Sequence, residues 1–294
     1  MKPILFLVFL VLTGLHCPLP AQSQRAFPER VLITNDNGIH DPKIHALAKA
    51  FAAVSETWVV ASEEDRSGTG ITLTIHRTPS FRVSEKDLGE GIRAFALQGN
   101  PGDCVAWALT VLLKDNPPDL VVSGINGGPN LGHEWLYSGT VGAARLASYF
   151  GLPAIAVSGL DDDYPDHVAA ATQWVVDFSR SSLVKQLEPP NYFTVSIPPQ
   201  GGEGIKGVRV CGRTAVNVRP QFSASEKDER GTQIWRLTGL ETQTVEPFAG
   251  TDRQLFEAGY VVVVPMRIDE HDHANLSRAR KIEAQIPSWP KAKH

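Results

Sequence analysis

The chain has 294 residues, 28 basic and 32 acidic side chains, a formal net charge of -4 and a hydrophobic share of 42%. That apolar content can build one large or two modest globular cores and excludes a wholly disordered chain. The weakly acidic balance leaves no electrostatic footprint for a nucleic-acid polymer or an anionic membrane, and 3 Cys cannot form a disulfide framework.

The chain opens Met1-Lys2-Pro3, continues with an apolar run from Ile4 to Leu15, and reaches Ala21-Gln22-Ser23. The run is too short for a bilayer span of about 20 residues. A charged start, a short apolar stretch and small residues at a cleavage point predict a signal peptide over residues 1–23. The mature chain, residues 24–294, is then exported, periplasmic or secreted, with no membrane span after processing; an uncleaved anchor or a buried strand is the alternative. Cys104 and Cys211 remain and read as buried small hydrophobes.

Arg30-Val31-Leu32-Ile33-Thr34 is a short β-branched run stopped by the turn cluster Asn35-Asp36-Asn37-Gly38. Asp41-Pro42 then predicts an N-cap and first helical residue, with Ile44, Leu47, Ala48 and Phe51 at helical spacing. Thr57 to Ala61 reads as a buried strand. Asp103 is a candidate cap for a helix carrying Ala106, Leu109 and Leu113. Leu120 to Ser123 reads as a strand, Gly139 to Phe150 as a helix ended by Gly151, Ala154 to Val157 as a strand, Asp166 to Ser182 as a helix, and Tyr192 to Ile197 as a strand. Strands alternating with helices predict an α/β fold, a Rossmann-like, doubly wound, mainly parallel sheet. Val208-Arg209-Val210 and Gln233 to Leu237 read as antiparallel ribbons projecting from it, before Gly259 to Pro265 returns as a buried strand. In the tail, His271-Asp272-His273 has the residue types of a metal cluster but reads as solvated surface.

Ligands of open α/β sheets collect beyond the carboxyl ends of the strands. Those positions hold Asp36 and Asn37, then Ser67 and Gly68, then Ser123-Gly124-Ile125-Asn126 and the loop to Asn130. The set is rich in oxygen and poor in His and Cys, which suits a hard divalent cation, Mg or Mn, better than Zn. Ser138-Gly139-Thr140 opens a helix, where backbone N–H groups and the helix dipole favour a phosphate. A hard cation beside an anion site is the layout for metal-assisted phosphate ester hydrolysis. Taken singly, Asn35 to Gly38 also fits a plain turn, and Ser138 an ordinary N-cap.

Taken together, Thr34-Asn35-Asp36-Asn37-Gly38, Arg66-Ser67-Gly68, Gly99 to Val105, Ser123 to Gly132, Tyr137-Ser138-Gly139-Thr140-Val141, Gly250-Thr251-Asp252 and Glu257 to Val261 resemble, in this order, the SurE family of nucleotidases. The resemblance runs from about Arg30 to about Ile268. It implies a Rossmann-like core with a C-terminal antiparallel hairpin extension, here about residues 205–258, used to form homodimers or homotetramers. It implies a divalent-metal-dependent phosphatase that hydrolyses nucleoside 5′- and 3′-monophosphates to nucleoside and phosphate with a metal-activated water. By motif, the metal ligands fall on Asp36, Asn37, Ser67 and Asn126, with Asp36 also catalytic, and the substrate contacts on Gly68, Asn130, Ser138, Gly139 and Thr140. One position departs from the family pattern: Asn37 stands where a second Asp is the rule. The site therefore carries one negative charge fewer, which keeps open a non-catalytic nucleotide- or phosphate-binding protein as an alternative; a broad-specificity acid phosphatase, which differs only in its ratios of kcat/KM, is another.

Overall fold

The computed structural model describes residues 27–74, 80–160, 165–199, 204–244 and 249–269, together with 276, 278, 280 and 281. The signal peptide expected over residues 1–23 and the tail cluster at His271 to His273 lie outside them.

The first strand, β1 (Arg30–Thr34), alternates its side chains between two cores. Val31 and Ile33 enter one and Leu32 the other, all fully excluded from solvent. Helix α1 (Pro42–Ala52) starts where Asp41 accepts the N–H of Lys43 at 2.7 Å, with Pro42 supplying a preset φ at the first helical position. Strand β2 (Glu56–Ser62) follows, then β3 (Val83–Lys86), β4 (Ile92–Leu97) and α2 (Pro101–Trp107). Next come β5 (Leu120–Asn126), a 3₁₀ turn (Gly132–Leu136), α3 (Gly139–Tyr149), β6 (Ala154–Ser158), α4 (Pro165–Ser179), α5 (Ser182–Lys185) and β7 (Asn191–Ser196). The last elements are β8 (Gly207–Val210), β9 (Val216–Lys227), β10 (Gln233–Thr244), α6 (Asp252–Glu257) and β11 (Tyr260–Arg267).

Nine strands form one sheet in the order β3-β4-β2-β1-β5-β6-β7-β11-β8. Only β3 against β4 and β11 against β7 run antiparallel. Ile44, Leu47 and Phe51 of α1 and Val175 of α4 cover one face, meeting Ile33, Val59, Val122 and Ile155. Val105 of α2 and Val141 and Ala144 of α3 cover the other, meeting Leu32, Val60 and Val121. This is the largely parallel, doubly covered α/β architecture that the alternating pattern predicts. From β1 the chain winds outward through β2 on one side and through β5 on the other. The strand order therefore reverses between β1 and β5, and the crevice beyond their carboxyl ends is the ligand position of such a sheet.

Several local expectations need correction. Asn100, not Asp103, is the N-cap of α2; Asp103 lies three residues in, and its carboxylate reaches back to accept the N–H of Asn100 at 2.8 Å. Beyond Trp107 the helix widens into a π-type turn over Ala108–Leu112, so Leu109 and Leu113 do not lie on a regular α-helix. The stretch expected as one helix from Asp166 to Ser182 is two, since Ser181 caps a separate short helix by accepting the N–H of Val184. Val208-Arg209-Val210 does not project but joins the main sheet parallel to β11. The antiparallel hairpin is β9 with β10, a sheet of two strands within the expected 205–258 extension. Strands β3 and β4 have no counterpart in the expected elements: β3 is mostly exposed, and neither run is continuously apolar. Cys104 is buried, whereas Cys211 is only half-buried, and both are free thiols.

Candidate active site

Asp36 sits two residues beyond β1 and is 3% exposed. Its Oδ1 accepts the hydroxyl of Thr140 at 2.5 Å. Burial pushes its carboxyl above the ordinary carboxylate range, against the opposing pull of the hydrogen bonds from Thr140. The backbone carbonyl of Asp36 accepts the N–H of Arg66 at 2.7 Å, which pins the second loop to the first. The start of α3 closes over the same carboxylate. A Cβ on Gly139 would lie 2.8 Å from the Asp36 Cβ and 2.9 Å from Oδ2, so only glycine permits this approach.

The two asparagines flanking Asp36 do different work. Asn35 is fully buried and shapes the turn, donating from Nδ2 to the Gly38 carbonyl at 3.0 Å and accepting the Gly38 N–H at 3.2 Å. Asn37 keeps its Oδ1 buried with no hydrogen-bond partner. A buried acceptor left empty costs stability, and a cation would satisfy it. At the end of β5, Asn126 donates from Nδ2 to the Gly128 carbonyl at 2.7 Å, which fixes its amide. The Ser67 hydroxyl donates to Asp65 Oδ1 at 2.6 Å, leaving its lone pairs for a cation. The second loop is seated tightly, since a Cβ on Gly142 of α3 would lie 2.3 Å from the Gly70 carbonyl oxygen.

The anion side is built on the N-terminus of α3. Ser138 caps it by accepting the N–H of Val141 at 3.1 Å and donates to Asn130 Oδ1 at 2.7 Å. Asn130 is held in turn, its N–H donating to Ser158 Oγ, at the end of β6, at 3.2 Å.

These side chains share one cleft of about 600 Å³. Asp36, Asn37, Ser67 and Asn126 line it together with Gly68, Asn130 and Ser138. Gly139 and Thr140 do not line it; they stand behind Asp36 and set its position. Among the described residues no three or more His, Cys, Asp or Glu side chains gather as a metal cluster. The donors here are instead one carboxylate with amide and hydroxyl oxygens, and the empty Oδ1 of Asn37 belongs to that set. Such a set fits a hard divalent cation and not Zn.

Sequence reasoning missed a second group on the cleft: Glu134, Tyr137, Leu240 and Arg253. Tyr137 lies within a motif already singled out, and Gly250-Thr251-Asp252 ends one residue before Arg253. No local pattern marks Glu134 or Leu240. Asp252, 2% exposed, accepts the N–H groups of Thr214 at 2.7 Å and Gly132 at 2.8 Å. It thereby fastens α6 to the 3₁₀ turn and sets Arg253 at 3.2 Å from Glu134.

The family model described as "Survival protein SurE" matches residues 31–219. A protein named 5′-nucleotidase SurE 1 from Burkholderia lata is 36% identical over 264 residues, which is 88% of this chain and 98% of that protein. One named 5′-nucleotidase SurE from Vibrio campbellii is 34% identical over 254 residues, 86% of this chain and 94% of its own length. The crystal structure of a SurE protein from Aquifex aeolicus superposes with a TM-score of 0.69 at 28% identity, covering 86% of this chain and 99% of that one.

Proposed function

The chain belongs to the survival protein SurE family, and we propose that it is a divalent-metal-dependent 5′-nucleotidase that also releases phosphate from nucleoside 3′-monophosphates. The observation that carries the metal reading is the buried, unpartnered Oδ1 of Asn37 on the cleft that Asp36 also lines. Asp36, Asn37, Ser67 and Asn126 would hold the cation. When bound, it would supply positive charge against the phosphoryl oxygens and ease deprotonation of the attacking water.

The chain's own groups do the rest. The carboxylate of Asp36, fixed at Oδ1 by the Thr140 hydroxyl, orients the attacking water and accepts its proton. Ser138, at the N-terminus of α3, and the amide of Asn130 hold the phosphate in line for attack. No covalent intermediate is needed. Phosphate release from 5′-AMP, 3′-AMP and p-nitrophenyl phosphate, with Mn²⁺, with Mg²⁺ and with chelator, tests the reading. Turnover of both nucleotides only with metal is expected. Equal kcat/KM for all three esters would favour a broad-specificity phosphatase, and tight binding without turnover a non-catalytic binder, the reading that Asn37 keeps open.

Two further parts complete the proposal. Apolar side chains exposed on the hairpin, Phe222, Trp235 and Leu237, support assembly into a homodimer or homotetramer. The residues 1–23 pattern supports export, which fractionation of cells and the N-terminal sequence of the mature chain would check. No helix among the described residues is long and apolar enough to cross a membrane.

A further inference from the structure

The cleft of about 600 Å³ is several times larger than a phosphate needs, and its second wall carries charge that the phosphate and metal residues do not use. Arg253 supplies that charge. Its guanidinium lies 3.2 Å from Glu134 and 3.7 Å from Glu257. Its Nε–H is buried without a partner, so its position follows from the Asp252 fastening and not from the best satisfaction of the side chain. With two carboxylates against one guanidinium, its positive charge is already fully offset. The remaining guanidinium N–H groups can donate to a neutral oxygen or ring nitrogen, but a second phosphate finds no uncompensated positive charge there. Tyr137 and Leu240 on the same cleft add aromatic and apolar surface suited to a base or sugar.

We propose that Arg253, held by Glu134 and Glu257, is a specificity-determining residue that admits a neutral nucleoside and rejects a substrate bearing a second phosphate. This rests on the reading of the cleft as a nucleoside monophosphatase site. Glu134 acts through Arg253 as a positioning residue: it orients the guanidinium and cancels its charge.

The test compares kcat/KM for adenosine 5′-monophosphate and adenosine 3′,5′-bisphosphate at saturating Mn²⁺, with calorimetric titration of both nucleotides in parallel. The intact protein prefers the monophosphate. Glu134→Gln keeps an acceptor for the N–H of Leu131, bonded at 2.9 Å, but removes the charge. It should shift the mono-to-bisphosphate ratio towards the bisphosphate about tenfold, and the shift should shrink as salt rises. In an Arg253→Met background the same change should shift the ratio less, because no guanidinium is left to receive the second phosphate. A ratio within twofold of the intact protein's in Glu134→Gln, or an equal shift in the Arg253→Met background, overturns the proposal. If Glu134→Gln melts early, Glu257→Gln, whose carboxylate is largely exposed, carries the same test with a smaller shift in the same direction. If the intact protein turns over neither nucleotide, the nucleotidase reading fails, and the calorimetric ratio still decides the selectivity. Binding of neither nucleotide overturns both.

Discussion

The two walls of the cleft are built in different ways. The wall that holds Asp36, Asn37, Asn126 and Ser138 grows directly from buried parallel strands and the first turn of α3. Behind it Val31, Leu32, Ile33, Val121 and Val122 are wholly excluded from solvent. The wall that holds Glu134, Leu240 and Arg253 comes from a 3₁₀ turn, a projecting hairpin and a six-residue helix. It is joined by polar fastenings, of which Asp252 makes the bonds to Thr214 and Gly132. A densely packed sheet edge fixes groups to within a fraction of an ångström, as bond making at phosphorus requires. A wall fastened by a few hydrogen bonds can change sequence and shape without disturbing that edge. The structure thus separates the chemistry from the choice of substrate.

Gly139→Ala should have the largest effect, because it attacks the rigid wall at its tightest point. The new Cβ would lie 2.8 Å from the Asp36 Cβ, and both neighbours are buried backbone-anchored groups that cannot swing away. Phosphate release should fall by about a hundredfold or more. Overpacking should also lower stability by about 1–3 kcal/mol, read by thermal or urea unfolding. Near-normal turnover in this variant would mean that the sheet edge is less rigid than its packing implies.

Asn37→Asp should act next most strongly, on the same wall but through charge alone. A second carboxylate beside Asp36 should lower the Mn²⁺ concentration for half-activity about tenfold, and direct Mn²⁺ titration by calorimetry should show the same shift. An unchanged metal affinity would remove Asn37 from the ligand set.

Asp252→Asn tests the other wall. The isostere keeps the shape but loses the charge-assisted bonds to the N–H groups of Thr214 and Gly132, costing about 1–3 kcal/mol of stability. KM for nucleoside monophosphates should rise several-fold, while kcat changes less, since Arg253 shifts and Asp36 does not. A fall in kcat without change in KM would show that the two walls are mechanically coupled.

The same division explains what could be read from the sequence. The rigid wall was legible because each of its residues lies within a few positions of a strand or helix end that leaves a strong local mark. These marks are the apolar run before Asn35, the Asp41-Pro42 cap, and Ser138-Gly139 ahead of α3. The second wall was not, because its decisive contact joins Glu134 to Arg253 across 119 positions and depends on a backbone fastening that leaves no periodic trace. The placement of β8 failed for a related reason. Val208-Arg209-Val210 is exposed enough to resemble a free ribbon, yet it is an edge strand paired on one side to β11. Asp103 misled because the same residue type serves as an N-cap or as the third residue of a capping box, and only the position of Pro101 at the first helical residue separates the two.

The smallest effect on folding stability, and the sharpest test of independence, lies in the hairpin. Trp235 and Leu237 of β10 are 62% and 59% exposed, so replacing both with Lys should change the stability of a lone chain by no more than about 0.5 kcal/mol each. Light scattering should show a smaller species than the unaltered protein, because the lost apolar surface is what a second copy would cover. An unchanged mass would place the assembly contact elsewhere. Leu237 and Leu240 would lie on opposite faces of a regular strand, being three positions apart. The irregularity in pairing between Leu237 and Gly239 inserts an extra residue and removes that offset, so the apolar face continues towards the cleft that Leu240 lines. The double Lys variant should therefore raise KM for nucleoside monophosphates modestly while leaving the Mn²⁺ concentration for half-activity unaltered. A shift in that metal requirement would show that the hairpin reaches past the selecting wall and into the groups around Asp36.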